Sequence, residues 1–95
     1  MEIKKAQEMI RDLYFERDEK RGLEKNFIWF IEEIGEFAEG LKNEDVNCIK
    51  EEIADVFAWL LSLANVLNID LEKAFLKKYN NCCPYCGKKP CECEK

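Results

Sequence analysis

The sequence predicts an all-α fold: a helical hairpin with flanking helices that joins copies of itself into an oligomeric four-helix-bundle-type assembly, followed by a short cysteine-rich loop. Apolar residues recur at the helical period in four separate segments. Gly22, the polar break Lys42-Asn43-Glu44-Asp45 and Asp70 punctuate them. The third segment is apolar almost all the way round, more than one hairpin and one short flanking helix can cover, so a second copy of the chain is expected against it. A homodimer, or a dimer of dimers forming a tetramer, follows from that excess.

The first helix is expected over residues 2–20, with Ile3, Ala6, Ile10 and Leu13 on one stripe and charges opposite. Gly22 ends it, and Arg17 to Arg21 form a mixed charged patch that reads as a solvated helix end, or as a place from which Arg21 or Lys25 reaches a phosphate. The second helix is expected to start near Asn26 as its cap, with Phe27, Phe30, Ile31, Ile34, Phe37, Ala38 and Leu41 as its apolar stripe. Along one edge of that stripe run Trp29, Glu33, Glu36 and Gly40. Asn43 or Asp45 caps the third helix, where Glu52, Asp55, Trp59 and Ser62 share a flank. Cys48, alone on that helix, reads as a small core residue. Asp70 caps a fourth helix, Leu71 to about Asn80, with Leu71, Ala74 and Phe75 inward and Lys73, Lys77 and Lys78 suiting its dipole. These four segments make one domain over residues 1–81, and 82–95 form a tail of different composition.

At 95 residues the core is near the lower limit for a lone chain, so a metal or a partner subunit is expected to help. A net charge of −5 provides no basic field for a phosphate backbone, so no DNA or RNA binding is expected. The N-terminal residues lack the apolar run of a signal peptide, and the longest apolar run, Val56 to Leu67, is too short to cross a membrane. A cytoplasmic protein without membrane contact is expected. The chain has no histidine, which excludes Ser-His-Asp and Cys-His nucleophiles and histidine-liganded zinc hydrolysis. Carboxylate chemistry remains.

Glu33 and Glu36 are one turn apart on the second helix, and Glu52 and Asp55 are one turn apart on the third. Both pairs are equally distant from the break, so a hairpin brings four carboxylates to one height. Like charges one turn apart destabilise a helix by about 0.2–0.5 kcal/mol per pair, and no Lys or Arg lies on either stripe to offset them. A hard divalent cation, Mg²⁺ or alternatively Mn²⁺, offsets them directly, and Mg²⁺ also takes up substrate phosphates.

The run Glu32-Glu33-Ile34-Gly35-Glu36, followed by Glu52-Ile53-Ala54-Asp55, resembles the paired EExxE and ExxD motif of the MazG-like all-α nucleoside triphosphate pyrophosphohydrolases. The likeness extends over roughly residues 21–81, with an Arg21-Gly22, Phe27, Trp29 lead-in and a lysine-asparagine ending. It implies an enzyme that uses Mg²⁺ to cleave an NTP or dNTP to the monophosphate and pyrophosphate, a house-cleaning reaction of the nucleotide pool. By the same resemblance Glu33, Glu36, Glu52 and Asp55 are the metal ligands and Glu32 is the general base for the attacking water. Lys77 and Asn81 contact phosphates, with Lys78 an alternative for the lysine. Trp29 is a candidate for base stacking, though at helical spacing a core role ranks above it.

In the tail, Cys83-Pro84-Tyr85-Cys86-Gly87-Lys88 has the form of a zinc knuckle, and Cys91-Glu92-Cys93 supplies two further thiols for a closed, structural Zn²⁺ site. Cys-x-Cys is tighter than the usual Cys-x-x-Cys, which leaves open that Cys82 replaces one ligand or that two chains share the site; behind structural zinc stand a redox pair or an unstructured tail. The rival to an enzyme is a small helical oligomer with a zinc tail, an interaction or regulatory module whose acids are merely solvated.

Overall fold

A computed structural model describes residues 1–95 and contains four helices and no strands. They are α1 (Ile3–Arg21), α2 (Leu23–Asn43), α3 (Val46–Val66) and α4 (Leu71–Lys78). Helices α2 and α3 form the central hairpin, α1 lies along α3, and α4 turns back to pack on α1. No single helix is long and apolar enough to cross a membrane.

Helix α2 begins at Leu23, three residues before the expected cap at Asn26. Gly22 makes the difference: its φ of 93° and ψ of 155° reverse the chain within one residue. Asn26 still acts as a cap, but for the other helix, donating from Nδ2 to the Asp18 carbonyl at 2.7 Å. The break between α2 and α3 is tighter than the four-residue polar run suggests. Glu44, left-handed at φ 56°, closes α2, and the Asp45 carboxylate accepts from the Cys48 N–H at 3.2 Å, so Asp45 and not Asn43 starts α3. At the other end of α3, Asn68 is left-handed at φ 57° while the Ile69 N–H returns to the Ala64 carbonyl. Helix α4 leaves at 100° to α3, capped by Asp70, which accepts from the Lys73 N–H at 3.0 Å. It ends at Lys78, two residues short of the expected Asn80, because Tyr79 turns to extended backbone.

Two polar hubs hold the helices in register. Near the C-terminal end of α3 the Gln7 side chain donates to Asn65 Oδ1 at 3.0 Å and to the Ile69 carbonyl at 2.7 Å, and it accepts from the Leu71 N–H at 3.0 Å. At the α1–α2 corner Arg21 Nη1 bonds Asp18 at 3.1 Å and Asn26 Oδ1 at 2.7 Å. Asp18, Asn26 and Asn65 are all buried, so these bonds satisfy groups that are costly to leave unpaired.

The apolar core of a single chain is small, with Leu61, Leu63 and Ala64 at its centre. Leu13 on α1 is 62% exposed and Phe75 on α4 is 47% exposed, whereas the periodicity placed both inward. Each lies on an apolar stripe that reaches past the neighbouring helix, so only the near end of the stripe is covered. On the hairpin, Phe27, Ile31, Ile34 and Leu41 of α2, Ile53, Phe57 and Leu60 of α3, and Leu67 just past its end are likewise exposed. Together they leave an extended apolar surface along the hairpin.

Candidate active site

The α2–α3 hairpin sets the geometry of the acids. Gly40 is buried where the helices approach, and the first atom a Cβ there would meet is Cys48 Sγ at 3.4 Å. Cys48 is half-buried at this crossing, and burial together with the Glu52 charge pushes its thiol pKa up, in keeping with a neutral packing residue. From this close crossing the two helices present Glu33, Glu36 and Glu52 with carboxylate oxygens that all lie within 4.8 Å of one another. Asp55 is outside that group of ligand atoms but close enough for its charge to act on both Glu33 and Glu52.

The group is short of positive charge. Burial first, then the charges of Glu36 and Asp55, push the Glu33 carboxyl above its ordinary range. The same causes raise Glu52. Glu52 Oε2 is cut off from solvent and has no hydrogen-bond partner. A buried carboxylate oxygen left unpaired beside two like-charged groups fits a divalent cation, which supplies the missing partner and removes the repulsion at once.

Trp29 and Trp59 close one end of the acid stripe, edge to face at 6.1 Å between ring centres. The Arg21 guanidinium lies 4.1 Å from the Trp29 ring centre and 5.6 Å from that of Trp59. Packing therefore occupies Trp29. Arg21 is likewise committed to Asp18, both side chains being nearly buried, and is not free to reach a phosphate. Sequence reasoning missed this cluster, because Asp18 and Arg21 sit in a run of charges that looks solvated; the one signal was their one-turn spacing just before Gly22.

Glu32 is exposed on α2 and does not join the three clustered acids. Lys77 is exposed in the last turn of α4, and Asn81 is off the helix at φ 60°, its side chain accepting from Lys89 Nζ at 2.7 Å. Neither shares a cleft with the acids of its own chain. A cavity of about 140 Å³ does adjoin Asp55, lined also by Tyr14, Arg17, Trp59 and Ser62.

In the tail, the sulfurs of Cys83, Cys86, Cys91 and Cys93 form a second group within 4.8 Å of one another. Backbone N–H groups of Glu92 and Lys88 pull the Cys86 thiol down to about 6, while the surrounding sulfurs push Cys93 up to about 11. Cys82 is exposed and outside the group.

Residues 21–87 match the family model of the MazG nucleotide pyrophosphohydrolase domain. No curated protein sequence matches the chain.

Proposed function

The chain belongs to the MazG nucleotide pyrophosphohydrolase family, and on that premise we propose that it hydrolyses a nucleoside triphosphate, NTP or dNTP, to the monophosphate and pyrophosphate. One observation carries the reading. Three carboxylates from two helices converge within 4.8 Å, and one of their oxygens is buried without a partner.

Glu33, Glu36 and Glu52 hold Mg²⁺, with Mn²⁺ able to replace it, and Asp55 completes the set from the next turn of α3. The ion neutralises the polyphosphate and acidifies water when bound. Glu32, beside Glu33 but free of the cluster, takes the proton from the attacking water. Arg17 at the rim of the Asp55 cavity supplies positive charge for the phosphates. Nucleotide binding then leaves the Trp29–Trp59 pair as the wall of the site.

The exposed stripes on α2 and α3 support a homodimer in which two hairpins form a four-helix bundle, open to further pairing into a tetramer. Within one chain α4 begins beyond the end of α3, about 16 Å along the helix from Asp55 at 1.5 Å per residue. Lys77 and Asn81 therefore serve the site of a neighbouring copy. A cytoplasmic setting, where thiols stay reduced and available to a metal, suits the cysteine-rich tail. A structural Zn²⁺ on the four clustered thiols takes no part in the reaction.

The test is pyrophosphate release across the common NTPs and dNTPs, with and without Mg²⁺. Glu36→Gln and Asp55→Asn should each abolish release while the helical circular dichroism persists; turnover retained in both variants refutes the assignment. The triphosphate preferred in this assay decides whether the role is house-cleaning of the nucleotide pool.

A further inference from the structure

We infer that the tail is folded by one Zn²⁺ per chain, held by Cys83, Cys86, Cys91 and Cys93 of the same chain, with Cys82 outside the ligand set. Distances carry the inference. Zinc–thiolate bonds of about 2.3 Å in a tetrahedron place the sulfurs about 3.8 Å apart. Cys83 and Cys93 are separated by 3.8 Å between sulfurs, and Cys86 and Cys91 by 3.9 Å. A disulfide requires about 2.05 Å, and all four cysteines are free.

The surrounding backbone donates to three of the four sulfurs. The N–H of Tyr85 points to Cys83 Sγ at 3.4 Å, that of Glu92 to Cys86 Sγ at 3.5 Å and that of Cys93 to Cys91 Sγ at 3.2 Å. Such donors stabilise sulfur that carries negative charge and hold each ligand in orientation. Gly87, at φ 73°, closes the first turn by donating to the Cys83 carbonyl at 2.8 Å, and Cys83 donates to the Lys88 carbonyl at 3.0 Å.

Little else holds the segment in shape. It buries no apolar side chain, and its one large aromatic, Tyr85, is 74% exposed. A stretch without a core keeps such an arrangement only if a metal supplies the energy that burial does not. Soft thiolates select Zn²⁺ over Mg²⁺, so this site and the carboxylates do not compete for one ion. Four protein ligands leave no open position, which makes the site structural. Lys89 Nζ, donating to Asn81, and Lys78, 5.2 Å from the Tyr85 ring centre, attach the knuckle to the end of α4.

Elemental analysis of the full chain, purified from medium containing both zinc and iron, should give one zinc per chain and no iron. Cys82→Ser should keep that zinc, whereas Cys83→Ser, Cys86→Ser, Cys91→Ser and Cys93→Ser should each reduce it at least tenfold. As a measurement that needs no variant, Co²⁺ titrated into reduced, chelator-treated full chain should reach its end point at one equivalent, with the intense visible absorption of a tetrahedral thiolate site. Iron in place of zinc, half a zinc per chain, zinc lost from Cys82→Ser, or no cobalt spectrum overturns the inference. Pyrophosphate release enters none of these readings, so failure here is distinct from failure of the proposed reaction.

Discussion

Replacing Arg21 with methionine should destabilise the protein more than any other single surface-seeming change. Its guanidinium sits 3.1 Å from Asp18 and 2.7 Å from Asn26 Oδ1, and the Arg21 and Asp18 side chains are only 10% and 4% exposed. Methionine keeps most of the packing on Trp29 but leaves the Asp18 carboxylate buried without a counter-charge, a loss of about 3–5 kcal/mol. Domains of this size are stable by about 5–15 kcal/mol in total, so the loss is a large share. It corresponds to a fall in Tm of roughly 12 °C or more. Urea unfolding followed by circular dichroism measures it, with tryptophan fluorescence as a second probe of the Trp29–Trp59 pair. The double variant Asp18→Leu with Arg21→Met removes both charges and should recover most of the stability, since an apolar pair of similar volume often replaces a buried ion pair at little cost. A loss below about 1 kcal/mol in the single variant, or a double variant as unstable as the sum of the singles, refutes the claim that Arg21 exists to neutralise Asp18.

Further outcomes are expected. Without divalent metal, Glu33 and Glu52, whose carboxyl pKa values are raised above the ordinary 4.5, destabilise the fold at neutral pH. Because the folded values are the higher ones, their favourable contribution is complete below pH 4.5 and is lost as pH rises through the raised values. Thermal melts in EDTA should show this slope, and saturating Mg²⁺ should raise the neutral-pH Tm and flatten it. Gly22→Ala should cost about 1–3 kcal/mol, since the ψ of 155° at φ 93° is nearly closed to other residues. Gly35→Ala, on an exposed helical face with nothing within 4 Å, should gain roughly 1 kcal/mol; chemical denaturation compares the two. Phe57→Asp should convert a dimer to a monomer by sedimentation velocity, and a wild type that sediments as a monomer disproves the proposed assembly. Gln7→Ala should cost about 1–3 kcal/mol by the same unfolding assay, leaving buried Asn65 Oδ1 and the Leu71 N–H unpaired.

How far the sequence was legible depended on whether a feature was periodic. The apolar repeats placed four helices, and the Asp45 and Asp70 caps fell where short polar side chains precede apolar runs. Three of the four acids were legible because the hairpin turn is a reflection point, so equal spacing along the chain becomes similar height in space; Asp55, expected to join them, falls outside the group. What stayed hidden were bonds between distant positions. Gln7 reads as one polar residue on a half-polar helix, yet it meets Asn65 and Ile69 from the opposite end of the chain. Asn26 looked like a start signal because Asn prefers caps, and only the left-handed bend at Gly22 shows which helix it caps. Leu13 and Phe75 mark another limit: periodicity identifies an apolar face but cannot say whether the same chain covers it.

The boundaries of the family and the boundaries of a piece that can stand by itself do not coincide here. The match opens at residue 21 and closes at residue 87, so it omits Asp18 and Gln7 at one side and cuts between Cys86 and Cys91 at the other. An excised 21–87 fragment would keep every acid of the candidate site but would orphan Arg21, Asn65 and half of the thiols. Whoever dissects this protein should therefore keep the first helix and the last eight residues attached, for the acid cluster rests on neighbours that the family match leaves out.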